Sequence, residues 1–255
     1  MSDAPLHTAH PDASDVGAAI VASDLVKQYG EVEALRIERL AIAPGEAVGL
    51  VGNNGAGKTT LLRLTLDLIR PTAGSVSIDG AVVAEREEWK PRVGAYLDPS
   101  FLIDYLRPRE YFRLICGAYE LAADEADRRA ARYAAFLGPT VTEGDPLLRD
   151  LSLGNAGKVG IIGAFLPEPG LVVLDEPFAN LDPGARIRLQ ELIRRERERG
   201  ATVIVSSHDL DHVVDVCSRV LVLAEGRIVR DMPSTPATLG ELRSFFAQGG
   251  LATAS

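Results

Sequence analysis

The tightest restriction on the fold comes from one glycine-rich loop. Gly52-Asn53-Asn54-Gly55-Ala56-Gly57-Lys58-Thr59 follows the apolar run Ala47-Val48-Gly49-Leu50-Val51 and precedes a helically spaced segment over Thr60–Ile69. That order of strand, loop and helix matches G-x-x-x-x-G-K-[ST]. Its physical reason is convergence: loop amides and the positive end of a helix point at the same triphosphate. The spacing assigns phosphate contact to Gly52, Asn53, Asn54, Gly55, Ala56, Gly57 and Thr60, charge neutralisation to Lys58, and a Mg²⁺ ligand to Thr59. The fold class expected from this core is α/β, a P-loop NTPase with a mixed parallel sheet.

A phosphate loop is shared by many ATPases and GTPases, so the second half of the chain has to choose among them. Leu171-Val172-Val173-Leu174 reads as a second buried strand ending in Asp175-Glu176. Adjacent strand residues point to opposite sides. On that basis Asp175 is expected in the Mg²⁺ shell and Glu176 near the γ-phosphate, as general base for the attacking water.

The segment Leu151-Ser152-Leu153-Gly154-Asn155, upstream of that acidic pair, resembles the LSGGQ signature of ABC ATPases. Ala179-Asn180-Leu181-Asp182 resembles their D-loop, His208 after Val203-Ile204-Val205-Ser206-Ser207 their switch histidine, and Tyr29 the aromatic that stacks on adenine. The resemblance covers Ala18 to about Asp231. It implies an ATP-binding and ATP-hydrolysing subunit of a transporter, with an N-terminal antiparallel β layer and an inserted helical subdomain. It also implies a head-to-tail dimer, homo- or heterodimeric, in which Ser152, Gly154, Asn155 and Asp182 of one copy serve the nucleotide of the other. Partners are then a second nucleotide-binding subunit and an integral membrane permease, with the chain peripheral on the cytoplasmic face of the membrane.

Two positions depart from the family pattern. Asp98 stands where a glutamine is usual in the Q-loop, and Asn155 ends the signature where glutamine is usual. Both departures resemble the drug- and antibiotic-efflux branch of two-component exporters, and Asp98 becomes a candidate Mg²⁺ contact. The alternative for Asp98-Pro99 is a simple turn. A non-transport regulatory relative is the competing function, and such a module would be expected to lose Lys58, Glu176 or His208; all three are present. A translation factor of this type would carry two nucleotide units, and a chromosome-maintenance ATPase long heptad arms.

Composition narrows the partners further. A net charge of -9 disfavours nucleic acid, which needs an organised basic surface. Every apolar run is interrupted well short of the roughly 18 residues a membrane helix needs. Cys116 and Cys217 sit in apolar segments with no metal spacing and read as core thiols. His7 and His10 lie in a start without signal-peptide character and are expected to be solvated.

The resulting organisation is a disordered tail over 1–17, an ATPase domain over 18–240 with a helical subdomain at about 87–169, and a tail over 241–255. Within the subdomain, helices are expected over Pro108–Glu120 and Asp124–Leu137. The run Arg186–Arg199, interleaved with glutamates, reads as a solvated helix face.

Overall fold

The structure is a computed structural model that describes residues 19–247; the expected N-terminal tail, with His7 and His10, lies outside them. The described chain divides into two units, residues up to Lys90 with those from Val205 onward, and Pro91–Ile204 between them.

The first unit opens with the long strands β1 (Ile20–Tyr29) and β2 (Val32–Ile42). They pair antiparallel from Ile20↔Ile42 to Tyr29↔Val32, leaving a two-residue turn in which Gly30 takes φ 61. A positive φ at the first turn residue matches the twist of the strands it joins. The buried strand β3 (Ala47–Val51) leads through the glycine loop into helix α1 (Lys58–Thr65). Strands β4 (Ala73–Ile78) and β5 (Ala81–Val82) complete an antiparallel sheet in the order β2-β1-β4-β5. This is the expected N-terminal β layer.

Helix α1 stops four residues earlier than its apolar spacing suggests. Asp67 adopts φ 54, and the Leu68 amide donates back to the Arg63 carbonyl at 2.9 Å. That left-handed residue and back-directed bond close the helix C-terminus.

The second unit holds strand β6 (Val93–Tyr96), then helices α2 (Pro108–Ala118), α3 (Ala123–Ala131), α4 (Ala134–Leu137) and α5 (Pro139–Thr142). The signature residues start α6 (Leu153–Phe165), which runs into β7 (Leu171–Leu174), α7 (Pro183–Glu198) and β8 (Thr202–Ser207). β6 and β7 pair in parallel, Val93↔Leu171 through Tyr96↔Leu174. The helix expected over 124–137 is two helices: Tyr133 leaves helical backbone at φ -103 and ψ 8 and buries its ring. On α7 the buried side chains Ala185, Leu189 and Ile193 share one stripe, so Arg188, Arg194, Arg195 and Arg197 face solvent as expected, while Arg186 is half-buried and Glu196 of the same run is buried.

α6 is the buried centre of this unit. Phe165, Ile161 and Ile162 are fully enclosed, each contributing about 1.5–3 kcal/mol of hydrophobic stabilisation. Gly160 and Gly163 let aromatic rings lie on the helix: a Cβ would stand 2.6 Å from the Tyr96 ring and 2.8 Å from the Tyr111 ring respectively.

The chain returns to the first unit with α8 (Leu210–Val214), β9 (Arg219–Ala224), β10 (Arg227–Pro233) and α9 (Pro236–Ala247). β9 runs parallel to β3 and antiparallel to β10, so the sheet around the glycine loop is mixed. Helix α9 crosses the 240/241 boundary where a tail was expected. Leu242 is its buried anchor, and Arg243 pairs with Asp211 on α8 at 2.7 Å. Both cysteines are buried and neither is part of a disulfide, and among the described residues no helix is long and apolar enough to cross a membrane.

Candidate functional site

In the first unit the glycine loop forms a closed cradle. Gly52, Gly55 and Gly57 take φ 159, 83 and 105. At Gly52 a Cβ would lie 2.3 Å from the Leu223 carbonyl oxygen, and at Gly57 it would lie 3.1–3.2 Å from Leu35, Ala34 and Gly226. The loop is therefore pressed against β9 and the turn after it, with the Gly226 amide donating to the Ala56 carbonyl at 3.0 Å. Lys58 is 6% exposed, and its ammonium donates to the Gly52 carbonyl at 2.7 Å and the Asn53 carbonyl at 3.3 Å. A buried cation held over backbone oxygens at a helix N-terminus is a polyanion site in charge and shape. Thr59 and Thr60 follow it in the first turn of α1, partly exposed. Beside the loop is a cavity of about 230 Å³ lined by Asn53–Ala56, Leu223–Glu225 and Phe246 of α9. Phe246 was missed from sequence, although Leu239, Leu242 and Phe246 already have helical spacing.

Tyr29 and His208 belong to the same unit. Tyr29 ends β1 and is 51% exposed, with the Lys27 ammonium 4.9 Å from its ring centroid. His208 follows the last residue of β8 at the surface, and the turn behind it is fixed by the Asp209 amide donating to Ser207 Oγ at 2.9 Å.

The second unit holds the carboxylates. β7 ends at Leu174, so Asp175 and Glu176 lie beyond the pleat. The expectation that strand alternation separates them is replaced by a backbone device. Asp175 is 5% exposed and its amide donates to the Tyr96 carbonyl at 2.8 Å, while Glu176 turns to φ 47 and stays partly exposed. A left-handed glutamate costs about 1–2 kcal/mol and persists only where its surroundings enforce it.

Asp98 caps the short 3-10 turn Pro99–Phe101, its Oδ1 accepting from the Ser100 amide at 2.7 Å. This is the turn geometry weighed above as its alternative. Burial first, and then the Asp98 and Asp175 carboxylates, push the pKa of the Tyr96 hydroxyl well above its ordinary value. Ser152 caps α6 by accepting from the Asn155 amide at 3.3 Å, with Gly154 between them. Asp182 caps α7 through the Ala185 amide at 2.8 Å; that amide, and then the Lys158 ammonium, hold its carboxyl below the usual range. The site residues thus form two groups, one in each unit. Among the described residues no cluster of three or more His, Cys, Asp or Glu side chains could by itself hold a metal.

Residues 35–179 match the protein-family profile described as ABC transporter. An uncharacterised ABC transporter ATP-binding protein of Nostoc is 33% identical over 91% of this chain and 71% of its own length. The aliphatic sulfonates import ATP-binding protein SsuB 1 of Rhizobium johnstonii is 34% identical over 85% and 77%. The Nod factor export ATP-binding protein I of Burkholderia thailandensis is 34% identical over 78% and 65%. The chain spans only 56% of the Synechocystis relative that it matches and 39% of the one from Streptomyces coelicolor. Among solved structures, an ATP-binding subunit of an ABC transporter superposes with TM-score 0.77 at 30% identity, covering 93% of this chain and 95% of the other. A dimeric bacterial ABC transporter cassette gives TM-score 0.77 at 25% identity, covering 85% and 99%.

Proposed function

This chain belongs to the ABC transporter family of ATP-binding proteins, whose members hydrolyse ATP, and from that premise we propose that it is the ATPase subunit of a transporter working through a separate membrane permease. The observation that carries the reading is the cradle around Lys58, where a buried cation and constrained glycines suit a triphosphate and little else. The amides of Gly52–Thr60 and the Lys58 ammonium bind the phosphates, and Tyr29 presents an exposed ring to the adenine. Thr59 and Asp175, with Asp98 as a further contact, are the residues that would hold Mg²⁺, which when bound would neutralise charge on the phosphates.

Glu176 accepts a proton from water as the water oxygen bonds to the γ-phosphorus and the bond to the β-phosphate oxygen breaks; His208 contacts the γ-phosphate. Ser152, Gly154, Asn155 and Asp182 serve the nucleotide of a second copy in a head-to-tail dimer. Attachment to the permease keeps the chain at the cytoplasmic face of the membrane. The relatives include an importer and an exporter component, so direction rests on Asp98 and Asn155, which favour export.

Steady-state ATP turnover tests the assignment. Lys58→Ala and Glu176→Gln are each expected to lose at least about 10²-fold, the lower range for a general base or a charge clamp. Wild-type turnover in either variant would refute it. Transport direction is read by loading cargo on either side of vesicles that carry the complex; ATP-driven uptake from the side opposite the ATPase would contradict export.

A further inference from the structure

Two segments of the second unit that are well separated in sequence are joined there by direct contacts. A Cβ on Gly154 would lie 2.4 Å from the Asn180 carbonyl oxygen, so the first turn of α6 and the loop before α7 touch backbone to backbone. Asn180 itself is left-handed at φ 58, a conformation asparagine tolerates better than most residues. One helical turn beyond Gly154, on the same face of α6, Lys158 places its ammonium 3.2 Å from Asp182 Oδ2. Its side chain is 12% exposed against 59% for Asp182, so the lysine stem is held by the helix surroundings and the charge reaches out to the loop. The other carboxylate oxygen of Asp182 caps α7. A single carboxylate therefore ties α6, the 180–182 loop and α7 together.

With the Asp182 carboxylate open to solvent this contact adds little stability, and its consequence is geometric. We propose that Lys158 is a positioning residue which, with Gly154, fastens the turn Ser152–Asn155 to the loop Asn180–Asp182, so that both are presented to a second copy as one surface. The proposal rests on the dimer reading above. Because Tyr96 and Tyr111 lie on Gly160 and Gly163 of the same helix, the fastened pair is also keyed to β6 and α2. A displacement of either element then reaches both loops at once.

The test uses the whole chain and reads two quantities. In the nucleotide-free protein, Lys158→Met, which keeps the stem and removes the charge, is expected to speed amide exchange at Asn155 and Ala185 about tenfold, as loosening a local closed state does. In a Glu176→Gln background it is expected to weaken ATP-driven dimerisation about tenfold while ATP affinity of the single chain is unchanged. Lys158→Arg restores both, and Lys158→Met with Asp182→Asn is no worse than the weaker single variant, the signature of coupled residues. Unchanged exchange, unchanged dimerisation or additive losses would overturn the fastening. A Glu176→Gln chain with Lys158 intact that stays monomeric in MgATP refutes the dimer reading instead, and the exchange rates then decide the fastening by themselves.

Discussion

Glu176 and Lys58 show what a residue's chemistry does and does not reveal from sequence. Lys58 was legible because a lysine behind that glycine spacing has one common purpose, and the structure buries it over the Gly52 carbonyl. Glu176 was legible in identity but not in geometry: no pattern of neighbours announces φ 47, which arises from how the chain leaves β7. Tyr29 lies between these cases, since an aromatic at a hairpin end is ordinary and only its 51% exposure leaves a face open. Tyr29→Ala is expected to weaken ATP binding by about 1–3 kcal/mol, the range for base–aromatic stacking, with turnover at saturating ATP unchanged. Titration calorimetry with a non-hydrolysable analogue checks it, and equal affinities would remove Tyr29 from the site.

Elements were legible where a short apolar run or a charged helix face determines them, as in β3, β7 and α7. They were misjudged where a local tertiary contact ends or extends them. α1 ends early at a left-handed Asp67, the helix expected over 124–137 is broken by burial of Tyr133, and α9 forms where a tail was expected because Leu242 finds a core position.

The Asp98 turn is another such contact, and it allows charge to be separated from shape. Asp98→Asn keeps an oxygen for the Ser100 amide but removes the charge. It is expected to raise the Mg²⁺ concentration for half-maximal ATPase by up to about tenfold, well beneath the ~4 kcal/mol ceiling for unit charges ~4 Å apart near a protein surface. Asp98→Ala also loses the cap and is expected to lower cargo moved per ATP. Magnesium titrations and vesicle transport measure both; identical curves would leave Asp98 a turn residue only.

In the helical part, α2 and α3 are joined by Arg109 and Arg113, both donating to Asp127. These guanidiniums hold the Asp127 carboxyl far below its ordinary 3.8. A lowered folded-state pKa gives stability that is present above the unfolded value and lost as pH falls through the folded one. Asp127→Asn is therefore expected to destabilise the protein at neutral pH, with the gap from wild type closing on acidification below that ordinary value. Denaturant unfolding at both pH values checks the trend, and a gap independent of pH would contradict it.

For the molecule as a whole, the class of chemistry was legible because the glycine loop, the signature, the Asp175-Glu176 pair, the D-loop and the switch histidine occur in one chain in the family's order. Those segments fall in both units of the chain, so no single stretch of sequence carries all of them. Cargo is not legible, since a permease would select it. The central claim is that two such chains close on two nucleotides and reopen only after hydrolysis. Analytical ultracentrifugation of Glu176→Gln with radiolabelled MgATP tests it most directly. The expected species is a dimer carrying two intact ATP molecules that persists after free ATP is withdrawn, whereas wild type under the same conditions returns to monomer as its ATP is hydrolysed. A nucleotide-loaded species that remains monomeric at every protein concentration would contradict it.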